Sequence, residues 1–183
     1  MRAATDRAWT LALSLAAGAL YLATLCPSVF WYDSAEYAGE AAILGVAHPP
    51  GYPLYIPLAH LFTRLPIEPA LGVNLLSALA GAAAVGLLFA LARRLGLGRP
   101  AAGLAALTLA TIAPFWGNAT IAEVYTVGLV FSVGTMVLRR CGRWGFVLVG
   151  GDGGAVPGSL FWSGLGGPIP PAVLCACFTP PPP

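Results

Sequence analysis

Charged side chains are scarce in this sequence. Only 9% of its 183 residues are Asp, Glu, Lys or Arg, whereas 58% are hydrophobic. A water-soluble domain of this size could not cover its surface with so few polar groups, so the sequence predicts an integral membrane protein whose first partner is the lipid bilayer. The basic residues are dispersed along the chain, and without a clustered basic face nucleic acid is excluded as a partner.

Paired cysteines are also lacking. No two of the four cysteines have C-x-x-C spacing, which argues against a zinc site or a redox motif: Cys26, Cys141, Cys175 and Cys177. An N-terminal signal peptide or lipoprotein signal is the alternative to a spanning helix at Ala8 to Cys26. The apolar run is close to spanning length, no small-residue cleavage site follows it, and bulky Leu25 precedes the cysteine. We therefore interpret the run as a spanning helix.

The apolar runs predict an all-α, polytopic protein with about four transmembrane helices and additional extracytoplasmic juxtamembrane helices. The predicted spans are residues 8–26, 73–92, 101–115 and 124–138. Arg2 and Arg7 precede the first span, so the positive-inside rule places the N-terminus in the cytoplasm. Gly51 to Leu65 is interpreted as a juxtamembrane or re-entrant helix, because counting it as a span would place the arginines at 93, 94 and 99 outside.

The predicted spans differ in composition from the end of the chain. The second span is rich in Ala and Gly at residues 80–86, which favours close helix packing in lipid. Residues 141–183 are dense in Gly and Pro and contain no run of spanning length. We therefore predict a membrane-embedded region, residues 1–140, followed by an irregular tail, residues 141–183, which a truncation or frame shift would also explain.

This topology gathers distant polar residues on the extracytoplasmic face. The loop after the first span contains Asp33, Glu36 and Glu40 without any Lys or Arg, and Glu123 lies at the outer end of the fourth span. Asp33 followed by Glu36 also fits a capping box, in which Asp33 caps a helix and Glu36 reaches back. The two interpretations are compatible, because a capped helix start can still present a carboxylate that acts as a general base.

A second polar motif, Gly45 to Leu54, reads G-V-A-H-P-P-G-Y-P-L. Two prolines and a glycine after His48 predict an irregular turn, which lipid tolerates only where protein, headgroups or water satisfy the backbone. His48 would contact a phosphate or carry a proton there. The alternative is a histidine that only anchors the chain at the interface.

Together these motifs resemble the domain of unknown function 2723 family, which includes transmembrane-protein-260-type protein O-mannosyltransferases and belongs to the wider GT-C group of glycosyltransferases. The resemblance covers roughly residues 8 to 140, and three segments carry it: Asp33 to Leu54, Val73-Asn74-Leu75-Leu76, and Ala122-Glu123-Val124. It implies a GT-C-like N-terminal region. Family members continue with further helices beyond the position of Arg140.

The resemblance also implies an activity. The family transfers a sugar, possibly mannose, from a polyprenyl- or dolichyl-phosphate donor to an acceptor hydroxyl on a protein or glycan at the extracytoplasmic face. The implied catalytic residues are Asp33, Glu36 and Glu123, and the implied substrate-binding residues are His48, Tyr52 and Asn74. No metal ligand and no cofactor besides the lipid-linked donor is assigned, and dependence on a divalent metal is left open.

Other functions stay open from the residues alone. A transporter or flippase for lipid-linked substrates would also place polar residues within the membrane, and a non-catalytic membrane subunit would use only the small-residue helix faces. The membrane is expected to be the plasma membrane in a prokaryote and the endoplasmic reticulum in a eukaryote.

Overall fold

The computed structural model describes residues 2–138 as a helical bundle, and no strand occurs in that range. Seven helices follow one another: α1 (Arg2–Ala23), α2 (Asp33–Ile43), α3 (Tyr55–Thr63), α4 (Pro69–Arg94), α5 (Arg99–Thr111), α6 (Ala113–Thr120) and α7 (Val124–Leu138). The all-α prediction is therefore confirmed over this range. The predictions for the tail, residues 141–183, and the boundary at residue 140 lie outside the described residues.

Helix α4 is the centre of the bundle and contacts each of the six other helices. Its start is well defined, because Pro69 occupies the first turn and the Glu68 carboxylate accepts a hydrogen bond from the Leu71 N–H at 2.8 Å. Small residues let its neighbours approach closely. A Cβ at Gly86 would lie 2.1 Å from the Ser14 hydroxyl, so α1 packs directly on the α4 backbone, as the Ala/Gly-rich sequence predicts.

Only α4 is by itself long and apolar enough among the described helices to cross a bilayer, and α5 with α6 forms a second candidate if the bent pair counts as one span. Helix α1 has 22 residues, but Asp6 and Arg7 lie near its start. Helix α7 is apolar and has 15 residues up to the last one described. The four predicted spans are therefore not confirmed as a set.

The third predicted span is not one straight helix. Helices α5 and α6 meet at Ile112 and are bent by 60°. Pro114 explains the break, because proline has no N–H to donate to the carbonyl of Ala110 and its ring crowds the preceding turn. The Tyr21 hydroxyl of α1 donates to that Ala110 carbonyl at 3.0 Å instead. A buried tyrosine thus satisfies the backbone group that the bend would otherwise leave unbonded.

The segment from Gly51 to Leu65, which is predicted not to span the membrane, contains a single helix, α3, with nine residues. A helix of that length is about 14 Å long, whereas the hydrocarbon core of a bilayer is about 30 Å thick. It packs against α2 and α4. This geometry agrees with a segment that does not span.

At one end of the bundle, arginine side chains join the helices through ion pairs and a hydrogen bond. Asp6 at the start of α1 lies 3.1 Å from Arg93 at the end of α4 and 2.7 Å from Arg99 at the start of α5. Arg94 donates to the backbone carbonyl of Val137 near the end of α7. We call the residues Asp6, Arg93, Arg94 and Arg99 the arginine end. The predicted grouping of these arginines beside the N-terminal helix is therefore seen in the packing, while its orientation in a membrane stays a prediction.

Candidate active site

Asp33 begins helix α2 at the opposite end of the bundle. Tyr32, with a φ of 60°, precedes it as the N-cap residue, and the helix start has no side-chain cap hydrogen bond. The predicted capping box is therefore wrong: Asp33 is the first helical residue, and Glu36 does not reach back. Both carboxylate oxygens of Glu36 instead accept hydrogen bonds from His48. The spacing between Asp33 and Glu36 gives no indication of this partner.

Glu36 holds His48 through two hydrogen bonds. The His48 backbone N–H donates to one carboxylate oxygen at 2.5 Å, and the His48 Nδ1 lies 2.9 Å from the other. This pairing lowers the pKa of Glu36 and raises the pKa of His48, in each case mainly through the side-chain hydrogen bond between them. With Nδ1–H donated to Glu36, the Nε2 atom of His48 faces the rest of the site, at 4.0 Å from the Asp33 carboxylate.

The predicted irregular turn after His48 brings Tyr52 back to the histidine. The Gly51 N–H donates to the His48 carbonyl at 2.8 Å, the Pro49–Pro50 peptide is cis, and Gly51 has a φ of 83°. The Tyr52 hydroxyl lies 3.3 Å from His48 Nε2. Gly51 adopts a left-handed conformation that other residues rarely take. The turn therefore places a phenol and an imidazole on the same side as Asp33.

Glu123 enters this end of the bundle from the break between α6 and α7. Ser77 of α4 fixes its backbone, because the Ser77 hydroxyl donates to the Glu123 carbonyl at 3.3 Å and accepts from the Glu123 N–H at 3.2 Å. The residue is only 9% exposed, and one of its carboxylate oxygens has no hydrogen-bond partner among the described residues. Burial, followed by the negative charge of Asp33, raises the pKa of Glu123 to about 7.

Asn74 has a different position from the other predicted substrate-binding residues. It is fully buried in α4, and its amide donates to the carbonyls of Cys26 at 2.8 Å and Ser28 at 3.0 Å. These carbonyls belong to the loop between α1 and α2. The Asn74 amide therefore holds in place the loop that leads to Asp33. A role of Asn74 in contacting substrate stays a prediction.

Two residues that pack against or hydrogen-bond to the site, Tyr37 and Ser77, are not predicted from the sequence. Tyr37 is buried next to Glu36 in α2, and its ring stacks on His48 with centroids 5.8 Å apart. Burial raises the pKa of Tyr37 well above its ordinary value, so the phenol stays neutral. Ser77 lies one helical turn after Asn74, and this i, i+3 spacing on one polar stripe of an otherwise apolar helix was the signal that could have found it.

The electrostatics of this end are set by carboxylates. Residues 27–63 contain no Lys or Arg, and the described side chains that meet here are one histidine and three acids: Asp33, Glu36, His48 and Glu123. We call these four residues the acidic end. One ligand atom each from Asp33, Glu36 and His48 lie within 4.8 Å of one another, so these three side chains could hold a metal ion. The sequence predicts that Asp33, Glu36, Glu40, His48 and Glu123 share one face. Four of these residues meet here, whereas the Glu40 carboxylate lies beside Gly45 after the end of α2.

Comparison with known proteins places the chain in a family. Residues 33–139 match the model of the protein O-mannosyl-transferase TMEM260 N-terminal domain, which is more than half of the chain, and the chain belongs to that family. A mouse relative, named protein O-mannosyl-transferase TMEM260, is 38% identical over 125 residues. The aligned region is 67% of this chain and 18% of the mouse protein. No solved structure matches.

Proposed function

We propose that this chain forms the N-terminal part of the catalytic region of a membrane glycosyltransferase. The reaction transfers a sugar, mannose by analogy with the mouse relative's name, from a polyprenyl- or dolichyl-phosphate donor to a hydroxyl of a protein or glycan. The observation that carries the proposal is the meeting of Asp33, Glu36, His48 and Glu123 at one end of the bundle, from three separate parts of the chain. Because the chain spans 18% of the mouse protein, further parts of that protein would complete the pocket.

The surface of the bundle supports a membrane setting. Large apolar side chains point outward on α1 and α5, among them Leu11, Leu15 and Leu104 at 63%, 73% and 67% exposure. A soluble protein seldom leaves such residues together in water, whereas lipid is their natural solvent. We propose four spans, formed by α1, α4, the bent α5–α6 pair and α7, with the N-terminus in the cytoplasm and the acidic end on the extracytoplasmic face.

Asp33 is the proposed general base. In the reaction, the acceptor hydroxyl gives its proton to Asp33, its oxygen attacks the anomeric carbon, and the bond from that carbon to the lipid phosphate breaks, which inverts the configuration. Glu36 is less suited, because both of its oxygens accept hydrogen bonds from His48 and its pKa is lowered. The Asp33 side chain is 50% exposed, so an incoming hydroxyl can reach it.

Glu123 is the proposed supporting acid. A carboxyl group with a pKa near 7 is protonated in a large fraction of molecules at neutral pH, so it can donate a hydrogen bond to a developing negative charge. Its backbone is fixed by Ser77, and the carboxylate oxygen that has no partner within residues 2–138 leaves one position for a substrate group.

The test is sugar transfer by a full-length protein that contains this region, with the Asp33→Asn variant. Asparagine keeps the size of the side chain, and no cap hydrogen bond is lost because Asp33 makes none. Loss of a general base costs roughly a hundredfold to ten-thousandfold in rate. Glu40→Gln is the matched control, since it also removes one carboxylate from α2. Transfer at a near-normal rate by a folded Asp33→Asn protein would remove Asp33 from the role of base.

A further inference from the structure

We infer that the acidic end binds a divalent cation, held by Asp33 and His48 with Glu36 as the partner of the histidine. The inference deepens the proposed function, on which its catalytic meaning rests, but the site itself is defined by geometry alone. One ligand atom each from Asp33, Glu36 and His48 lie within 4.8 Å of one another. Carboxylate and imidazole ligands together suit Mn²⁺ or Zn²⁺.

The orientation of His48 is that of a metal-binding imidazole. Its Nδ1 is 2.9 Å from the Glu36 carboxylate, which fixes the ring and keeps the proton on Nδ1. Histidines that bind metals commonly donate the second ring N–H to a carboxylate in this way. The other ring nitrogen, Nε2, has no proton in this tautomer and lies 4.0 Å from a carboxylate oxygen of Asp33. A small adjustment of either side chain would bring both atoms to one ion. The Tyr52 hydroxyl, 3.3 Å from Nε2, would give up this contact when an ion binds.

Glu123 is an independent observation that points to a cation. Its side chain is nine-tenths buried, one oxygen has no hydrogen-bond partner within the described part of the chain, and its charge interacts with both Asp33 and His48. A buried carboxylate without a partner is costly unless it is protonated or compensated by positive charge. Residues 27–63, which include Asp33, Glu36 and His48, contain no Lys or Arg that could compensate the charge of Glu123.

The chemistry of the proposed donor gives the cation a role. A lipid phosphate is an anion, and it would approach a site with the carboxyl groups of Asp33, Glu36 and Glu123, to which residues 27–63 contribute no Lys or Arg. A bound divalent ion would reverse this repulsion and attract the phosphate. Asp33 can give one oxygen to the ion and keep the other for the acceptor hydroxyl.

Direct binding of Mn²⁺ tests the site without any sugar donor. The full chain in detergent would be titrated with Mn²⁺, and free ion would be followed by electron paramagnetic resonance. We expect one ion per chain, with affinity lost in Asp33→Asn and His48→Gln. For Glu36→Gln we expect a loss on the order of tenfold to a hundredfold, as for other carboxylates that orient a metal-bound histidine. Glu40→Gln should bind as the unaltered chain does.

Thermal unfolding without metal checks that each variant is folded, and the set of three substitutions keeps the test valid if one of them is not. Absence of Mn²⁺ binding to the unaltered chain, or equal affinity in all variants, would overturn the cation site. The outcome is separate from that of the transfer assay, because Mn²⁺ can bind whether or not the protein transfers sugar.

Discussion

The two ends of helix α4 use charged residues in opposite ways. At the arginine end, Asp6 lies between Arg93 and Arg99, and Arg94 donates to the Val137 carbonyl, so each of these charged side chains has a hydrogen-bond partner. At the acidic end, Asp33 and Glu36 lie within 4.0 Å of His48, and one oxygen of Glu123 has no hydrogen-bond partner among the residues that the structure describes. The first arrangement joins helices. The second leaves acidic groups whose charge is not compensated, which is typical of a functional site.

The protonation of the carboxyl groups shows the same contrast. Asp6 accepts hydrogen bonds from the guanidinium groups of Arg99 and Arg93, so this carboxylate is held in its charged form. Burial and the charge of Asp33 raise the pKa of Glu123 to about 7, so this carboxyl group changes its charge near neutral pH. A carboxyl group that titrates near neutral pH is suited to proton transfer, whereas one that stays charged is suited to structure.

The largest effect on stability is expected at the acidic end, from Asn74→Ala. The change removes the amide that donates to the Cys26 and Ser28 carbonyls. Loss of hydrogen bonds to a buried polar group should lower the free energy of unfolding by about 1–3 kcal/mol. Thermal unfolding followed by tryptophan fluorescence would measure it.

If Asn74 also binds substrate, its replacement would raise KM for the donor in the full-length protein. If it only holds the loop, kcat would fall as Asp33 loses its position. Unchanged stability and unchanged transfer would contradict both roles.

The next effect is a pH dependence of stability that comes from Glu123. Its pKa is about 7 in the folded chain and 4.5 as an ordinary glutamate, so its stabilising contribution is complete below about pH 4.5 and is lost as the pH rises to 7. The melting temperature should fall over this window, and Glu123→Gln should remove part of the fall.

The comparison must be made as the difference between the two proteins, because the charges of Asp33 and His48 also act on Glu123. The pKa of His48 is raised from 6.5, so its own contribution is lost at higher pH. Parallel curves for the unaltered chain and Glu123→Gln would show that Glu123 does not have a raised pKa.

The smallest effect is expected at the arginine end, from Asp6→Asn. The Asp6 and Arg99 side chains are 25% and 37% exposed, and ion pairs near the surface contribute little to stability. We expect a slightly lower melting temperature at neutral pH and no change in sugar transfer by the full-length protein. A large loss of transfer, with the melting temperature preserved, would show that the two ends do not have separate roles.

The sequence predicted the helices better than the contacts between them. Helix α7 begins at the predicted residue, Val124, and the second span lies within α4, because long apolar runs determine helices directly. The bend at Ile112 is not predicted by the hydrophobic pattern, because residues 101–115 form one apolar run that continues through Pro114. The capping box was wrong because the true partner of Glu36, His48, is twelve residues away.

For the candidate site, the predicted topology indicated which residues lie near one another but not what they contact. Placing the arginines on one side grouped Asp33, Glu36, Glu40, His48 and Glu123 on the other, and all of these except Glu40 meet in the structure. The fastening of the loop by Asn74 and the support from Tyr37 and Ser77 depend on side-chain packing between helices. Such packing has no local pattern in the sequence.

The central claim is that the acidic end faces outward and the arginine end faces the cytoplasm. Thiol labelling in sealed cells tests it most directly, with a single cysteine at Ala35 or at Leu97 in a chain whose own cysteines are replaced by serine. Both positions are exposed in the structure. With a membrane-impermeant reagent added outside, we expect Ala35→Cys to be labelled readily, and Leu97→Cys to be labelled only after the membrane is permeabilised. Ready labelling of Leu97→Cys in sealed cells, with Ala35→Cys protected, would contradict the account.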